Sequence, residues 1–314
     1  MKDKRLCVND SFGFDLPVSE RLRLIRRAGF DGFFSDWKPD APIDEYARAA
    51  AREGLVYQSI HAPFSKVNAV WDEGEAGDEY IRMLEDCVQC CADHGVPLAV
   101  IHPFIGFDRH EPNALGVERF DRLLRFADTR GVLLGFENVE GEEYLARVMG
   151  ELSQHPSCRF VWDTGHELCY NGARDMMALY GDRLAGTHLN DNMGVTGNEI
   201  TWHDDSHLLP FDGIADWPGV ARRLREHRFE GPLTFELISY NRPGRHTHDA
   251  YAGWDAAEFL RQARARAERF AALILPHRRN FFPPAVKCRR RSFSAFRSTI
   301  PGLNWYITRI RRTF

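Results

Sequence analysis

The segment FVWDTGH (residues 160–166) joins a short apolar run to Asp163 and His166, two residues whose side chains can bind a metal ion. Six other strand-like segments also carry a histidine or an acidic residue at or just beyond their ends. These segments are SIHAPF (59–64), AVIHPF (99–104), LLGFENVE (133–140), GTHLND (186–191), HDDSHLLP (203–210) and LTFELI (233–238). The repeated pattern predicts that several strand ends deliver ligand residues to one place.

Eight apolar runs alternate with eight amphipathic stretches in strict order, which is the pattern of a parallel α/β fold. The predicted strands are Leu6–Val8, Gly32–Ser35, Val56–Ile60, Leu98–His102, Leu133–Glu137, Phe160–Asp163, Ala185–Leu189 and Leu233–Leu237. The predicted helices are Val18–Ala28, Ile43–Glu53, Asp78–His94, Val117–Arg130, Glu142–Ser153, Arg174–Tyr180, Trp217–His227 and Trp254–Ala272. Eight units favour a closed (β/α)8 TIM barrel over an open sheet, and such a barrel forms its active site at the carboxyl ends of its strands.

The length and the charge distribution divide the chain in two. A barrel takes about 250 residues, so we predict one barrel domain over residues 1–276 and a basic tail over 277–314. The tail contains ten lysines and arginines and no acidic residue, and the whole chain has a formal net charge of −4, so the barrel carries −14. Such an acidic body repels a nucleic-acid backbone. We expect the tail to be disordered or loosely packed; a basic arm for nucleic acid or acidic membrane, or a displaced reading frame, are the alternatives.

Seven cysteines, an odd number, indicate a reduced and therefore cytoplasmic setting. Cys87 and Cys90 form a C-x-x-C pair, but they lie in a stretch with helical spacing, and we expect buried or half-buried helix cysteines there rather than a zinc or redox pair. The chain has no apolar run of about 18 residues and no secretory signal at its N-terminus, so we expect no membrane association.

The strand-end residues form a mixed set of oxygen and nitrogen ligands. Crowded carboxylates and imidazoles in a pocket need a cation to offset their desolvation and mutual repulsion. Ligation without thiolate suits zinc, manganese, iron or cobalt. We therefore predict a divalent metal site built from Glu137, Asp163, Asp205, Glu236, His61, His102, His166, His188 and His207.

Four motifs resemble the xylose isomerase-like TIM-barrel superfamily over residues 5–275: the glutamate of FEN, the WDTGH segment, the histidine of HLND and the glutamate of the last strand. That superfamily includes sugar and sugar-phosphate isomerases and epimerases, and the endonuclease-IV-type enzymes of AP endonuclease family 2. The epimerase branch implies a core metal held by Glu137, Asp163, His188 and Glu236. The same branch implies that His166 contacts the substrate.

The AP endonuclease branch implies a larger, three-metal site. In that branch His61, His102, Asp205 and His207 correspond to further ligands, and His166 becomes a ligand as well. However, uncharacterised isomerase-like relatives also resemble the segment DDSHLLPFDGIADW (204–217), so the match leaves the reaction open. The strand-end segments also lack a loop rich in arginine, lysine and aromatic residues, which an enzyme needs to hold DNA around a flipped nucleotide.

Two reactions and one non-catalytic role follow from these observations. The first is a metal-dependent isomerase or epimerase of a small sugar, sugar phosphate or related hydroxy-carbonyl compound. There Glu137 and Glu236 would move a proton through an enediolate, and His166 would orient a hydroxyl group. The alternative is an endonuclease-IV-like metallo-phosphoesterase with a two- or three-metal site, and the third possibility is a catalytically silent barrel. The oligomeric state is left open.

Other residues are candidates for contact with the substrate. Aromatic residues near the strand ends could form walls of the pocket or simply pack in the core; they are Trp37, Trp162, Trp202 and Phe64. A cationic cluster after the last strand could hold one phosphate or carboxylate or be a solvated loop; it consists of Arg242, Arg245, His246 and His248.

Overall fold

Eight parallel strands form the wall of a barrel in the computed structural model, which describes residues 4–108 and 111–274. The strands are β1 (Leu6–Asn9), β2 (Gly32–Asp36), β3 (Val56–His61), β4 (Leu98–Ile101), β5 (Leu133–Glu137), β6 (Cys158–Asp163), β7 (Leu184–His188) and β8 (Leu233–Phe235). The helices are α1 (Val18–Ala28), α2 (Ile43–Glu53), α3 (Glu75–Asp93), α4 (Ala114–Asp128), α5 (Glu142–Glu151), α6 (Thr164–Cys169), α7 (Met176–Tyr180), α8 (Trp217–Glu226) and α9 (Ala256–Ile274). The predicted (β/α)8 TIM barrel is confirmed.

The barrel closes through two contacts of its last strand. β8 pairs in parallel with β1, with Cys7 opposite Thr234. On its other side, the Leu189 amide donates to the carbonyl of Thr234 at 2.8 Å, and the Thr234 amide donates to Oγ1 of Thr187 at 3.1 Å. Because each edge strand finds a partner, the sheet has no open edge and all eight carboxyl ends face one site.

Apolar side chains fill the inside of the barrel beneath those carboxyl ends. Leu98, Val100 and Val161 form a buried cluster of their own, separate from the larger core between the strands and the helices. Two glycines leave room for this cluster. A Cβ on Gly135 would lie 2.4 Å from Cγ2 of Val161, and one on Gly186 would lie 2.9 Å from Leu98. The barrel interior is therefore a packed floor rather than a channel.

The observed elements differ from the predicted ones at their ends, by one or two residues in the strands and by up to three in the helices, where α3 begins at Glu75 and α4 at Ala114. β4 and β8 are shorter than predicted, so His102 and Glu236 lie one residue beyond their strands. The sequence pattern also missed α6, a helix of 6 residues that begins directly after β6. It is too short to show a helical repeat, and the side chain of Asp163 caps it by accepting a hydrogen bond from the His166 amide.

The remaining structural predictions have mixed outcomes. The cysteine prediction is confirmed on α3, where Cys87 and Cys91 are buried and Cys90 is half-buried. The predicted basic tail, residues 277–314, lies outside the described residues and stays a prediction. Among the described helices, none combines the length and the apolar composition needed to cross a membrane.

His155, in the loop between α5 and β6, forms ion pairs with two carboxylates of α4, and its contribution to stability can be tested. Nδ1 of His155 lies 2.7 Å from Asp128 and Nε2 lies 2.8 Å from Asp121, both on α4. Burial alone would lower the pKa of His155, but the two carboxylates reverse this and raise it above the usual value of about 6.5. The stabilisation is therefore complete below about pH 6.5 and is lost as the pH rises through the raised pKa.

We expect His155→Gln to lower the free energy of unfolding by about 0.5–1 kcal/mol near pH 6 and by less near pH 9. Urea unfolding at the two pH values measures the difference. The matched control is His246→Gln, because His246 is exposed and its ion pair with Asp249 lies in solvent. Equal losses for His155→Gln at both pH values would contradict the charged pairing.

Candidate metal centre

The structure brings all nine predicted ligand residues together at the carboxyl ends of the strands. They form three groups, in each of which the potential ligand atoms lie within 4.8 Å of one another. The groups are His61, His102 and Glu137; Glu137, Asp163, His188 and Glu236; and His166, Asp205 and His207. Glu137 belongs to the first two groups, and Nδ1 of His207 lies 3.8 Å from Oε2 of Glu236, so the three groups form one continuous cluster.

Glu137, at the end of β5, lies at the middle of this cluster. Its Oε1 is 2.7 Å from Nδ1 of His188, and its Oε2 is 3.0 Å from Nε2 of His102 and 3.4 Å from Nε2 of His61. Nδ1 of His188 is also 3.0 Å from Oε2 of Glu236. Glu137 is completely buried, so three imidazoles rather than water surround its carboxylate.

The third group is built from α6 and from the loop between β7 and α8. Nε2 of His207 lies 2.8 Å from Oδ2 of Asp205, and Nε2 of His166 lies 3.5 Å from Oδ1 of the same carboxylate. His207 has a φ of 46°, in the left-handed region that non-glycine residues rarely adopt. Such backbone strain is concentrated at functional sites, where the surrounding structure maintains it.

Burial and neighbouring charges shift the pKa values of these residues in opposite directions. Burial lowers the pKa of His102 to about 4 and raises that of Asp163 to about 6. Burial also disfavours ionisation of Glu236, but His188 and His207 outweigh it and lower the pKa of Glu236 to about 2. The carboxylates of Asp205 and Glu236 likewise overcome burial and raise the pKa of His207 to about 9. The opposed shifts of His207 and Glu236 arise because these buried imidazole and carboxylate groups lie next to each other.

The orientation of three histidines fits this donor set to a metal ion. Nδ1 of His61 donates to the carbonyl of Ala62 at 2.8 Å, and Nδ1 of His166 donates to that of Asn138 at 3.0 Å. Nδ1 of His207 bonds the carbonyl of Glu236 at 3.2 Å. These bonds direct Nε2 of each ring to the carboxylates. A histidine that binds a metal ion through one ring nitrogen typically donates from the other to a carbonyl in this way, which fixes the orientation of the ring.

The lack of basic partners supports the same conclusion. Within residues 4–108 and 111–274, no lysine or arginine forms an ion pair with Glu137, Asp163 or Glu236. Buried carboxylates this close need positive charge. A divalent ion is the group that the donor set fits, with oxygen and imidazole ligands and no thiolate.

Two asparagines that the sequence did not single out position Asp163. Asn138 donates from Nδ2 to the carbonyl of Asp163 at 2.8 Å and accepts from its amide at 2.8 Å, which joins the ends of β5 and β6. Asn190 donates from Nδ2 to Oδ2 of Asp163 at 2.8 Å. A Cβ on Gly165 would lie 2.0 Å from Oδ1 of Asn190, so the glycine leaves space for that amide. The sequence could have indicated both asparagines by their position, because Asn138 lies one residue after the candidate ligand Glu137 and Asn190 lies two residues after the candidate ligand His188.

The four candidate wall residues separate into two pairs. Trp37 and Trp162 are buried, and Nε1 of Trp162 donates to Glu167, so both pack in the protein rather than lining the site. Phe64 is 44% exposed and stacks on His102 with ring centroids 4.5 Å apart, and Trp202 is 50% exposed. Only the second pair is available to a bound molecule.

We expect Asn190→Ala to weaken binding of zinc or manganese by about ten- to a hundredfold, since the carboxylate of Asp163 loses the hydrogen bond that holds it in place. Calorimetric titration of the metal-free protein measures the affinity. Asn198→Ala, an exposed position on the same loop, is the control. Equal affinities for the two variants, with unchanged melting temperatures, would show that Asn190 does not position a metal ligand.

This chain is similar to known proteins in sequence and in fold. An uncharacterized protein, y4fM, from Sinorhizobium fredii (strain NBRC 101917 / NGR234) is 29% identical over 266 residues, covering 71% of this chain and 82% of the relative. The solved structure of 3-keto-D-glucoside 4-epimerase from E. coli has a TM-score of 0.63 at 17% identity, covering 85% of this chain and 99% of that one.

Two further structures have the same fold. D-allulose 3-epimerase from Methylomonas sp., in complex with D-allulose, has a TM-score of 0.64 at 18% identity and covers 88% of this chain and 98% of its own. A xylose isomerase-like TIM barrel protein from Mycobacterium smegmatis, in complex with magnesium, has a TM-score of 0.60 at 17% identity, with coverages of 86% and 96%.

The family comparison agrees with the motifs and with the barrel. Residues 22–263 match a family model, AP_endonuc_2, described as xylose isomerase-like TIM barrel. Because this match spans more than half of the 314 residues, the chain belongs to the xylose isomerase-like TIM-barrel family.

Proposed function

We propose that this protein is a metal-dependent isomerase or epimerase of a small sugar, sugar phosphate or related hydroxy-carbonyl compound. The observation that carries the proposal is the pair of carboxylates of Glu137 and Glu236. They come from different strands, both approach Nδ1 of His188, and their ligand atoms lie within 4.8 Å of each other. The sugar epimerases with the same fold support the substrate class.

The two glutamates provide an acid and a base for proton transfer next to a carbonyl. One carboxylate takes the proton from the carbon alpha to the carbonyl, which leaves an enediolate. The other returns a proton, to the opposite face of the same carbon in an epimerisation or to the neighbouring carbon in an isomerisation. A divalent ion held by Glu137, Asp163, His188 and Glu236 would polarise the carbonyl as a Lewis acid.

Surrounding residues would hold the substrate in place. Nδ1 of His166 is occupied by the carbonyl of Asn138, so Nε2, which lies 3.5 Å from Oδ1 of Asp205, is the atom that would bond a substrate hydroxyl. Phe64 and Trp202 expose aromatic faces, which can pack against the apolar face of a sugar ring.

We expect turnover of a ketose in deuterium oxide to place deuterium on the alpha carbon, because the carboxylate that carries the proton exchanges it with solvent. Proton NMR of the product measures the label. Glu236→Gln and Glu137→Gln should each lower the rate by about a hundredfold or more, since each removes the acid–base group of one step.

The control for these variants is Glu199→Gln, an exposed glutamate on the loop between β7 and α8. It should retain the wild-type rate. Turnover without solvent exchange and without transfer of the substrate's own alpha proton would overturn the enediolate mechanism.

A metallo-phosphoesterase of the endonuclease-IV type is the second candidate. One observation favours it: two complete ligand groups lie beside the central one, and a single-metal isomerase does not need them. These outer groups are His61, His102 and Glu137, and His166, Asp205 and His207. The −14 charge of residues 1–276 disfavours DNA as the substrate but not a small phosphodiester. Five imidazoles among nine ligands suit zinc, manganese, iron or cobalt better than magnesium, which prefers oxygen.

Metal content per chain separates the two candidates. For an isomerase we expect one metal ion, lost on Glu236→Gln and retained on His61→Ala. For a phosphoesterase we expect two or three ions, some of them lost on His61→Ala or Asp205→Asn, because these residues belong to the outer groups. Elemental analysis of the purified variants measures the ratio, and hydrolysis of bis(p-nitrophenyl) phosphate tests the second reaction directly. One ion in all variants but Glu236→Gln would rule out the phosphoesterase.

A further inference from the structure

The basic residues that follow β8 do not form one cluster in the structure. Arg245 forms an ion pair with buried Asp204 at 3.0 Å, which ties it to the neighbouring loop. His246 is exposed, and His248 is buried below the loop surface. Of the four, only Arg242 contacts the candidate metal centre. Its Nε donates to the carbonyl of Asp205 at 2.7 Å, and its Nη2 donates to Oδ2 of the same residue at 3.2 Å.

Arg242 retains a second hydrogen-bonding edge. A guanidinium group has five N–H donors in a fixed plane. Asp205 occupies the edge formed by Nε and Nη2, whereas Nη1 bonds to none of the residues that the structure describes. The edge formed by Nη1 and Nη2 is one of the two edges of a guanidinium that bind a carboxylate or phosphate with two parallel bonds. The side chain is 18% exposed, so this edge is reachable from solvent.

We propose that Arg242 recognises an anionic group, a carboxylate or a phosphate, on the substrate of this enzyme. The inference rests on the proposed sugar chemistry and narrows the substrate to an anionic sugar. Trp202, half-exposed with its ring centroid 5.9 Å from the guanidinium carbon, would form the apolar side of the same subsite.

The charge around Asp205 favours an anion at this position. One carboxylate is shared by His166, His207 and Arg242. Because Asp205 serves all three of these groups, it cannot by itself supply a full counter-charge to Arg242. A substrate anion would supply the missing counter-charge at the edge of Arg242 that no protein group occupies.

The test compares charged and neutral ketoses on matched variants. D-fructose, D-fructose 6-phosphate and 5-keto-D-gluconate are titrated calorimetrically into the wild-type protein, Arg242→Gln, Arg242→Lys and His246→Gln. We expect the wild-type protein to bind one of the two anionic ketoses at least tenfold more tightly than D-fructose. Arg242→Gln should remove that preference, Arg242→Lys should keep part of it, and His246→Gln, on the same loop, should keep all of it.

Each outcome decides the proposal. A preference for the phosphate or for the keto acid identifies the anion. No preference in the wild-type protein, or an equal loss for D-fructose and the anionic ketoses in Arg242→Gln, would overturn the proposal and leave Arg242 as a positioning residue for Asp205. If Arg242→Gln does not fold, Arg242→Lys is compared with the wild-type protein instead. A lysine cannot form two parallel bonds, so its preference for the anionic ketose should be smaller than that of the wild-type protein. Turnover and solvent exchange of the same sugars are measured separately, so turnover with neither solvent exchange nor transfer of the substrate's own alpha proton refutes the proton-transfer function without deciding the binding preference.

Discussion

The burial of Glu137 is the constraint on which the site depends. An ionised carboxylate with no access to water is stable only if positive charge or hydrogen-bond donors surround it. Here three imidazoles from β3, β7 and the end of β4 reach its two oxygens. Their strands occupy different positions in the barrel wall, so the fold has to bring the ends of β3, β4, β5 and β7 together for Glu137 to be paired. The packed floor of Leu98, Val100 and Val161 below prevents water from entering from the other end.

A barrel with parallel strands explains why residues so distant in sequence meet. Strands β3 to β8 each contribute their last residue or the residue just beyond it, and His166 follows β6 on α6. The loops differ in length without disturbing that placement. The loop between β7 and α8 is the exception, because it supplies Asp205 and His207 from within an irregular segment. Asp191 holds that loop by accepting hydrogen bonds from the amides of Phe211 and Ala215 and from Nε1 of Trp217.

The sequence allowed the barrel and the clustering of the nine candidate ligands to be predicted, because both depend on short-range patterns. Strand ends marked by His61, Glu137 and Asp163 are visible as an apolar run followed by a polar residue. The sequence did not reveal α6, since six residues cannot show a helical period. Nor did it separate Arg242 from Arg245, since which acidic residue each meets is decided by how the loops after β7 and β8 fold over each other.

The short helix α6 has a consequence for the behaviour of the site as a whole. Oδ1 of Asp163 caps the helix by accepting a hydrogen bond from the His166 amide. Oδ2 accepts a hydrogen bond from Asn190, and the carboxylate belongs to the candidate ligand group of Glu137, His188 and Glu236. One carboxylate therefore terminates a strand, starts a helix and belongs to the ligand cluster. We therefore expect ordering of this helix and ligation by Asp163 to be coupled, so that local opening at residues 164–169 and release of a bound ion share one equilibrium.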